Sequence, residues 1–298
     1  MPKAQAKRPI ISIVGPGRLG SALAINLKRA GWDIAYLVIR RRGSNARRAS
    51  ELADKLGATV VWLGDSPLPQ GLVWITVPDD AITGVADRLA GMQEWTGQSV
   101  FHSSGALTSD ALRPLREKGA RVASVHPGMT FVDTTAATLK GVPFGVEGDA
   151  AALRLARQII RDLGGTVVTI RKQNKVLYHA FDAFASPMMV ALMAALEEVG
   201  KAAGIRQREL RTMSGPLLRQ TLGNYLEYGA AGAFSGPFVR GDVAVIQNHL
   251  NALGSVPAAR EVYLALARVA VKKLPVKNRA AVERILRGAG GSQAERKA

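Results

Sequence analysis

The 298-residue chain has no cysteine, which excludes disulfides, thiolate nucleophiles and cysteine-ligated zinc or iron–sulfur centres together. Histidine is scarce as well, with four residues, so any metal would need His, Asp and Glu brought together from distant segments. Aromatic residues make up only 5% of the chain, too few for a surface that interleaves rings with positive charge to stack nucleic-acid bases. Long apolar runs are missing too. Ile10–Val14 is too short for a signal-peptide core or a bilayer span, and Met188–Leu196 is closed by Pro187 on one side and by Glu197 and Glu198 on the other. The second run therefore reads as a buried helix face, and the expected location is the cytoplasm, without membrane insertion. Acidic residues are also few: 23 against 40 Lys and Arg, a net charge of +17. Residues 1–50 hold eleven Lys or Arg and a single acid, Asp33. That asymmetry suits a phosphorylated ligand or another anionic partner, or is a solvated basic face.

What is present describes a folded protein of two domains: 47% hydrophobic residues, 31 Gly, and enough chain for two separate cores. Short apolar runs end in glycine or polar turns and alternate with helical periodicity. Strands are expected at Ile10–Val14, Ile34–Ile39, Thr59–Trp62, Leu72–Val77, Ser99–His102, Arg121–Val125, Pro143–Val146 and Thr166–Ile170, with helices at Leu19–Ala30 and Ala46–Leu56 among those between them. Such alternation predicts an α/β fold with a doubly wound, mainly parallel sheet over residues 8–170. Beyond it the pattern is helical at Lys172–Ala203, Gln207–Tyr228, Asp242–Leu253 and Ala258–Lys273, which predicts an all-α C-terminal domain over residues 171–288 and a basic tail.

The strongest local signal is Gly15-Pro16-Gly17-Arg18-Leu19-Gly20, a G-x-G-x-x-G run set between a predicted strand and a predicted helix. Gly15 allows the tight turn, Gly17 lets a pyrophosphate approach the backbone, and Gly20 lets the helix pack against the sheet. The end of the second strand, where an acid would take the ribose hydroxyls of NAD, has Arg40, Arg41, Arg42 and Ser44 instead, which suits the 2′-phosphate of NADP. Val77-Pro78-Asp79-Asp80 and His102-Ser103-Ser104-Gly105 close further strands, so Val77, Pro78, Ser103 and Ser104 are candidate cofactor contacts, although a Ser-Gly pair is also ordinary turn chemistry. His126-Pro127-Gly128 has no second metal-type ligand nearby and reads as a cleft or cofactor contact.

Lys175, His179, Asp182 and Ser186 are spaced by four, three and four, on one face of a helix otherwise rich in Ala, Phe, Leu and Met. Lys175 and His179 are the candidate catalytic groups, able to supply a proton to a C=O or C=N bond, and Ser186 is a candidate substrate contact. Pro187 should bend the helix just beyond them. The turn-rich stretch Ser235–Asp242 leads into another helix. In it Arg240 either holds an anionic substrate or pairs with Asp242, Asp242 is a natural N-cap, and His249 follows two turns later.

Taken together, IVGPGRLGSAL, VPDDAI, FHSSGAL, VHPGMTF, KVLYHAFDAFAS and SGPFVRGDVAVIQNHLNAL resemble the Rossmann-like oxidoreductases that carry a C-terminal domain of unknown function, over residues 10–255. That family is similar in architecture to pyrroline-5-carboxylate reductase, ketopantoate reductase and 6-phosphogluconate dehydrogenase. The resemblance implies NADP, a small-molecule substrate with a carbonyl, hydroxy-acid or imine group, and a homodimer built on the helical domain. It also implies that Lys175 and His179 stand where related hydroxyacid dehydrogenases keep a catalytic Lys and an Asn. The chain departs from the family pattern at Ser186-Pro187, where Ser-Asn is usual, which keeps a non-catalytic NADP sensor as the alternative to an enzyme. A nucleic-acid-binding protein, suggested by the charge alone, is the weaker alternative.

Overall fold

The computed structural model describes residues 8–40, 46–132 and 138–291. It divides into two compact units, one ending at Phe184 and one beginning at Ala185. In the first, the order is β1 (Ile10–Val14), α1 (Arg18–Arg29), β2 (Ile34–Ile39), α2 (Ala46–Leu56), β3 (Thr59–Trp62), β4 (Gly71–Ile75), α3 (Asp79–Ala90), β5 (Ser99–His102), α4 (Arg113–Glu117), β6 (Arg121–Pro127), β7 (Pro143–Gly148), α5 (Ala150–Asp162), β8 (Thr166–Thr169) and α6 (Lys175–Ala185), which carries the chain across the division. The second holds α7 (Pro187–Ala202), α8 (Gln207–Ala233), α9 (Pro237–Arg240), α10 (Val243–Ala252), α11 (Pro257–Lys273) and α12 (Arg279–Gly291).

The eight strands form one sheet in the order β3-β2-β1-β4-β5-β6-β7-β8. The chain steps outward from β1 to β2 and β3, then returns to the other side of β1 with β4, which places a topological switch between β1 and β4. Pairing is parallel through β6, while β7 runs antiparallel to β6. No helix joins β6 to β7 among the described residues, so the chain returns in the opposite sense, and the helix α5 then makes β8 parallel to β7.

Both faces of the sheet are covered, and the two-residue period of the strands decides which side chain goes where. On β4, Leu72 and Trp74 join the core under α1, α2 and α5, whereas Val73 and Ile75 join the core under α3 and α4. On β1, Ile11 and Ile13 enter the first core and Val14 the second. Trp74 meets Phe101 edge to face at 5.4 Å, and its indole N–H donates to Ser103 Oγ at 2.8 Å. The helical unit has its own core, in which Ile246, Leu250, Leu264, Val271, Val282 and Leu286 from α10, α11 and α12 pack together.

Most expected elements lie within a residue or two of their observed bounds, but four readings change. The helix expected over Lys172–Ala203 is broken at Ser186 (φ −131°, ψ −83°), because the ring of Pro187 excludes the helical region for the residue before it. Lys175 on α6 is bonded to the sheet, so α6 is grouped with the strands instead of beginning the helical unit near residue 171. Met188–Leu196 is not a buried face: Met188 is 51% and Val190 68% exposed. Residues 279–291, in which no helix was singled out and whose last residues were expected to begin the tail, form α12, with Val282 and Leu286 in the core. Among the described residues one stretch, Lys172–Ala202, is long and apolar enough to cross a membrane, with mean hydropathy 1.4. It is broken at Ser186, and Lys175 near its start is bonded to the sheet.

The core argument predicts that Phe101→Ala, at a fully buried ring, lowers unfolding stability by about 3–5 kcal/mol, read as a shift in the urea midpoint. A change below about 1 kcal/mol would mean that the ring is not packed as described.

Candidate active site

The glycine turn sits where β1 passes into α1 at the switch point. Gly15 has φ +84°, and a Cβ there would lie 2.6 Å from Val77 Cγ1. A Cβ on Gly20 would lie 2.6 Å from the Gly15 carbonyl oxygen and would also strike Thr76 Oγ1. Gly17 is different: its nearest neighbour would be 3.9 Å away, so its side is open. Gly17 is also the N-cap of α1 and offers no side-chain cap, which leaves the first-turn N–H groups, including that of Arg18, without a side-chain acceptor. Thr76 Oγ1 donates to the Gly15 carbonyl at 2.8 Å and Ser21 Oγ to the Pro16 carbonyl at 3.0 Å, so the turn is held in shape by its neighbours.

Beside the turn lies a cavity of about 380 Å³, walled by Gly15, Pro16, Gly17, Ile39, Arg40, Leu63, Val77, Pro78, Ala81 and Val85. The walls are mostly apolar, and the exposed Arg40 is the cation on the rim among the described residues. Arg41 and Ser44, expected beside it, lie outside the described residues. Leu19 is half-buried against the first core and lies behind the turn.

The two serines after β5 are committed inward. Ser103 Oγ accepts from Trp74, while Ser104 Oγ donates to Asp79 at 2.7 Å and accepts from the N–H groups of Ala106 and Leu107. Of the two hydroxyls expected to meet a cofactor, that of Ser104 thus serves its own turn and Asp79, and that of Ser103 accepts from an indole on the neighbouring strand. His102, fully buried, accepts from the Ser104 N–H through Nδ1 at 3.1 Å, which puts its proton on Nε2, 3.0 Å from the Thr108 carbonyl. Burial pushes its pKa down to about 4, against the Thr108 bond and helped by the Lys175 and His126 charges.

A second group gathers beside the ends of β5, β6 and β7. His126 Nδ1 lies 2.8 Å from the Tyr178 hydroxyl and 3.5 Å from Asp182 Oδ2, and the His126 and His179 rings stand edge to face with centroids 6.3 Å apart. Two glycines make room for these rings. A Cβ on Gly105 would lie 2.6 Å from His179 Cδ2 and 3.0 Å from His126 Nε2, and one on Gly145 would lie 2.6 Å from the Tyr178 hydroxyl. Burial, then the Lys175 and His179 charges, bring His126 down to about 4, so it is neutral at pH 7. Burial and the Asp182 carboxylate push the Tyr178 phenol up, so it keeps its proton. Burial also raises Asp182, against the pull of Tyr178, His179 and Lys175. Asp182 Oδ2 is buried without a hydrogen bond among the described residues.

Lys175 lies underneath, 1% exposed, with Nζ donating to Ser124 Oγ at 2.7 Å and 5.6 Å from the Tyr178 ring centroid. Ser124 in turn donates to the Ser104 carbonyl at 3.1 Å. Burial lowers Lys175 to about 8, and Glu147, Asp182 and Asp79 limit the fall. Lys175 and His179 therefore share one cluster, but Lys175 is enclosed and His179 exposed. Sequence reasoning passed over Tyr178, although its place three residues after Lys175 and four before Asp182 puts it on the same helix face. Among the described residues no group of three His, Asp or Glu could hold a metal.

Ser186, Arg240, Asp242 and His249 lie in the helical unit. Ser186 is the N-cap of α7 without a side-chain cap bond. Arg240 Nε donates to Asp242 Oδ2 at 2.8 Å, an ion pair at the surface and not a buried one. Asp242 holds the N-cap position of α10, yet its side chain makes no cap bond. His249 Nδ1 is 3.1 Å from the Tyr263 hydroxyl.

Residues 2–127 match the family model of a Rossmann-like domain, and residues 142–270 match that of a domain of unknown function, DUF2520. The chain joins a Rossmann-like domain to a DUF2520 domain. Among solved structures it is similar to a protein from Thermotoga maritima (23% identity, TM-score 0.69, covering 96% of this chain and 100% of the other). It is also similar to a Bacteroides fragilis protein assigned as an NADP oxidoreductase (23%, 0.70, 88% and 97%) and to an imine reductase from Myxococcus stipitatus in complex with NADP+ (17%, 0.62, 93% and 100%). At these identities the likeness is one of fold. No curated protein matches the chain by sequence.

The buried imidazoles set a pH dependence. His102 and His126 both titrate near 4 when folded, below the ordinary 6.5, so the unfolded chain binds more protons between those values. Their contribution is complete above pH 6.5 and is lost as the pH falls toward 4, with His102 alone accounting for about 3 kcal/mol. Urea midpoints measured across this window should fall with pH, and less steeply in His102→Gln. A midpoint that stays level would show both rings to be solvated in the folded state.

Proposed function

We propose that the Rossmann-like unit binds NADP(H) and that the chain is an oxidoreductase acting on a small C=N or C=O group, or on the matching amine or alcohol. The observation that carries this reading is one sheet with two features on it: a glycine turn that is closed at Gly15 and Gly20 but open at Gly17, and a Tyr–His–Asp cluster beside the ends of β5 and β6. The open N–H groups and the missing Cβ at Gly17 fit a pyrophosphate, with Gly15, Pro16, Gly17, Arg18, Leu19 and Gly20 holding it. Val77 and Pro78 would wall the adjoining cavity, and Arg40, with Arg41 and Ser44, would take a 2′-phosphate. When bound, the nicotinamide supplies or accepts the hydride.

The chain's own part is to handle the proton. Tyr178 stays protonated and is hydrogen-bonded beside a neutral His126, while the exposed His179 can exchange a proton with solvent. Tyr178 and His179 are the groups assigned to the substrate nitrogen or oxygen. Lys175 is assigned a positioning role, holding α6 to β6 through Ser124. The Asp182 carboxylate favours a cationic iminium over a neutral carbonyl, in keeping with the imine reductase among the structural neighbours. Exposed Val176, Leu177, Phe181 and Phe184 on α6, and Leu217 and Leu226 on α8, support a homodimer that covers them.

Titration with NADPH and NADH, followed by turnover on a panel of cyclic imines and ketones, tests the reading. Arg40→Ala is expected to weaken NADPH about tenfold and leave NADH unchanged, since it removes one charge-assisted phosphate contact. Tyr178→Phe and His179→Ala are expected to lower turnover by roughly 100-fold or more while NADPH affinity holds. Tight NADPH binding with no turnover on any substrate would make the chain a dinucleotide sensor, the outcome to which Pro187 in place of the usual Asn points. Unchanged turnover in both variants would remove the proton role assigned here.

A further inference from the structure

The helical unit has a cavity of its own. It measures about 360 Å³ and is walled by Leu192, Leu196 and Val199 of α7, Leu253 after α10, and Val262 and Leu266 of α11. The polar side chains on its wall are His249 and Tyr263, which are paired edge to face with ring centroids 5.9 Å apart and joined by the bond between Nδ1 and the hydroxyl. We propose that this cavity is a binding site for a small neutral molecule that is mostly hydrocarbon, of the size of one substituted ring, with a single hydroxyl or carbonyl facing His249 and Tyr263.

The makeup of the walls selects that occupant. The space equals about a dozen water volumes, yet its walls offer water almost no partners, so an apolar molecule gains by displacing that water. Its volume falls at the lower end of the range for small-molecule pockets, about 300–1,000 Å³. The chain segments outside the described residues, such as SQAERKA at 292–298 and DTTAA at 133–137, have no large apolar side chain to fill it, Met1 apart. A second copy of the chain has a more extended apolar target in the exposed Leu217, Tyr225, Leu226 and Tyr228 of α8, none of which lines the cavity. The His249–Tyr263 pair gives the cavity a polar end. With Nδ1 engaged by Tyr263, the other imidazole nitrogen is left to meet a ligand hydroxyl or carbonyl. Apolar walls with a few convergent polar groups are the usual makeup of a small-molecule site.

The test uses the full chain with labelled Leu and Val methyl groups, and benzyl alcohol and toluene as probes. Saturable shifts confined to the methyls of Leu192, Leu196, Val199, Leu253, Val262 and Leu266 are expected for both. Leu196→Trp, which fills the cavity, should abolish them. His249→Phe, a milder change, should weaken benzyl alcohol about fivefold and leave toluene unaffected, the loss of one hydrogen bond. Shifts that do not saturate, or that spread over α8, would overturn the proposal. So would the same methyl shifts appearing on concentrating the protein without probe, since a second copy would then be the occupant. Because the readout needs neither dinucleotide nor turnover, it stands or falls apart from the oxidoreductase reading.

Discussion

The site depends on how closely α1 approaches the sheet. Where a side chain at Gly20 would collide with Thr76 and with the carbonyl of Gly15, and one at Gly15 with Val77, the helix can start directly above the end of β1 only because both positions are glycine. From that contact the rest follows in order. The N-terminus of α1 is left bare beside the switch between β1 and β4, and a cavity opens between the ends of β1, β2 and β4. A bare helix N-terminus attracts anions. Thr76 reinforces the arrangement by donating to the Gly15 carbonyl, so the strand next to β1 takes part in shaping the turn.

A second constraint acts at the other end of the unit. Lys175 is an ammonium group with almost no exposure, held by one hydroxyl and by the fields of Glu147, Asp182 and Asp79. Its charge adds to the burial that keeps His102 and His126 neutral, and its bond to Ser124 ties to β6 the helix on which Tyr178, His179 and Asp182 share one region with His126. Glycines again provide the room, at Gly105 for the imidazoles and at Gly145 for the phenol. The protein thus places titratable groups with opposed tendencies side by side, a phenol that keeps its proton and an imidazole that stays without a second one, which is the arrangement a proton-handling site needs.

Much of this was legible in the residues. The sheet unit follows from alternating short apolar runs and glycine stops, and the G-x-G-x-x-G turn lies where its strand–helix setting said it would. Lys175, His179 and Asp182 of the expected stripe reach one cluster, because helical spacing fixes which side chains share a face, whereas Ser186, its fourth member, falls at the break before α7. Three things were missed. The inward use of Ser103 and Ser104 depends on Trp74 and Asp79, which are distant in sequence. Tyr178 shares the stripe's helix face, but the room for its ring depends on Gly145, on a strand that runs antiparallel to β6. And α12 was not singled out, although Val282, Ile285, Leu286 and Ala289 recur at helical spacing on the face that packs into the helical core.

The most direct measurement is a crystal structure of the protein grown with NADP+. The account predicts a pyrophosphate against Gly15–Gly17 and the first turn of α1, a 2′-phosphate on Arg40, and a nicotinamide ring within reach of Tyr178 and His179. A dinucleotide bound away from the glycine turn, or a turn that stays closed to it at saturating concentration, would contradict the account at its base.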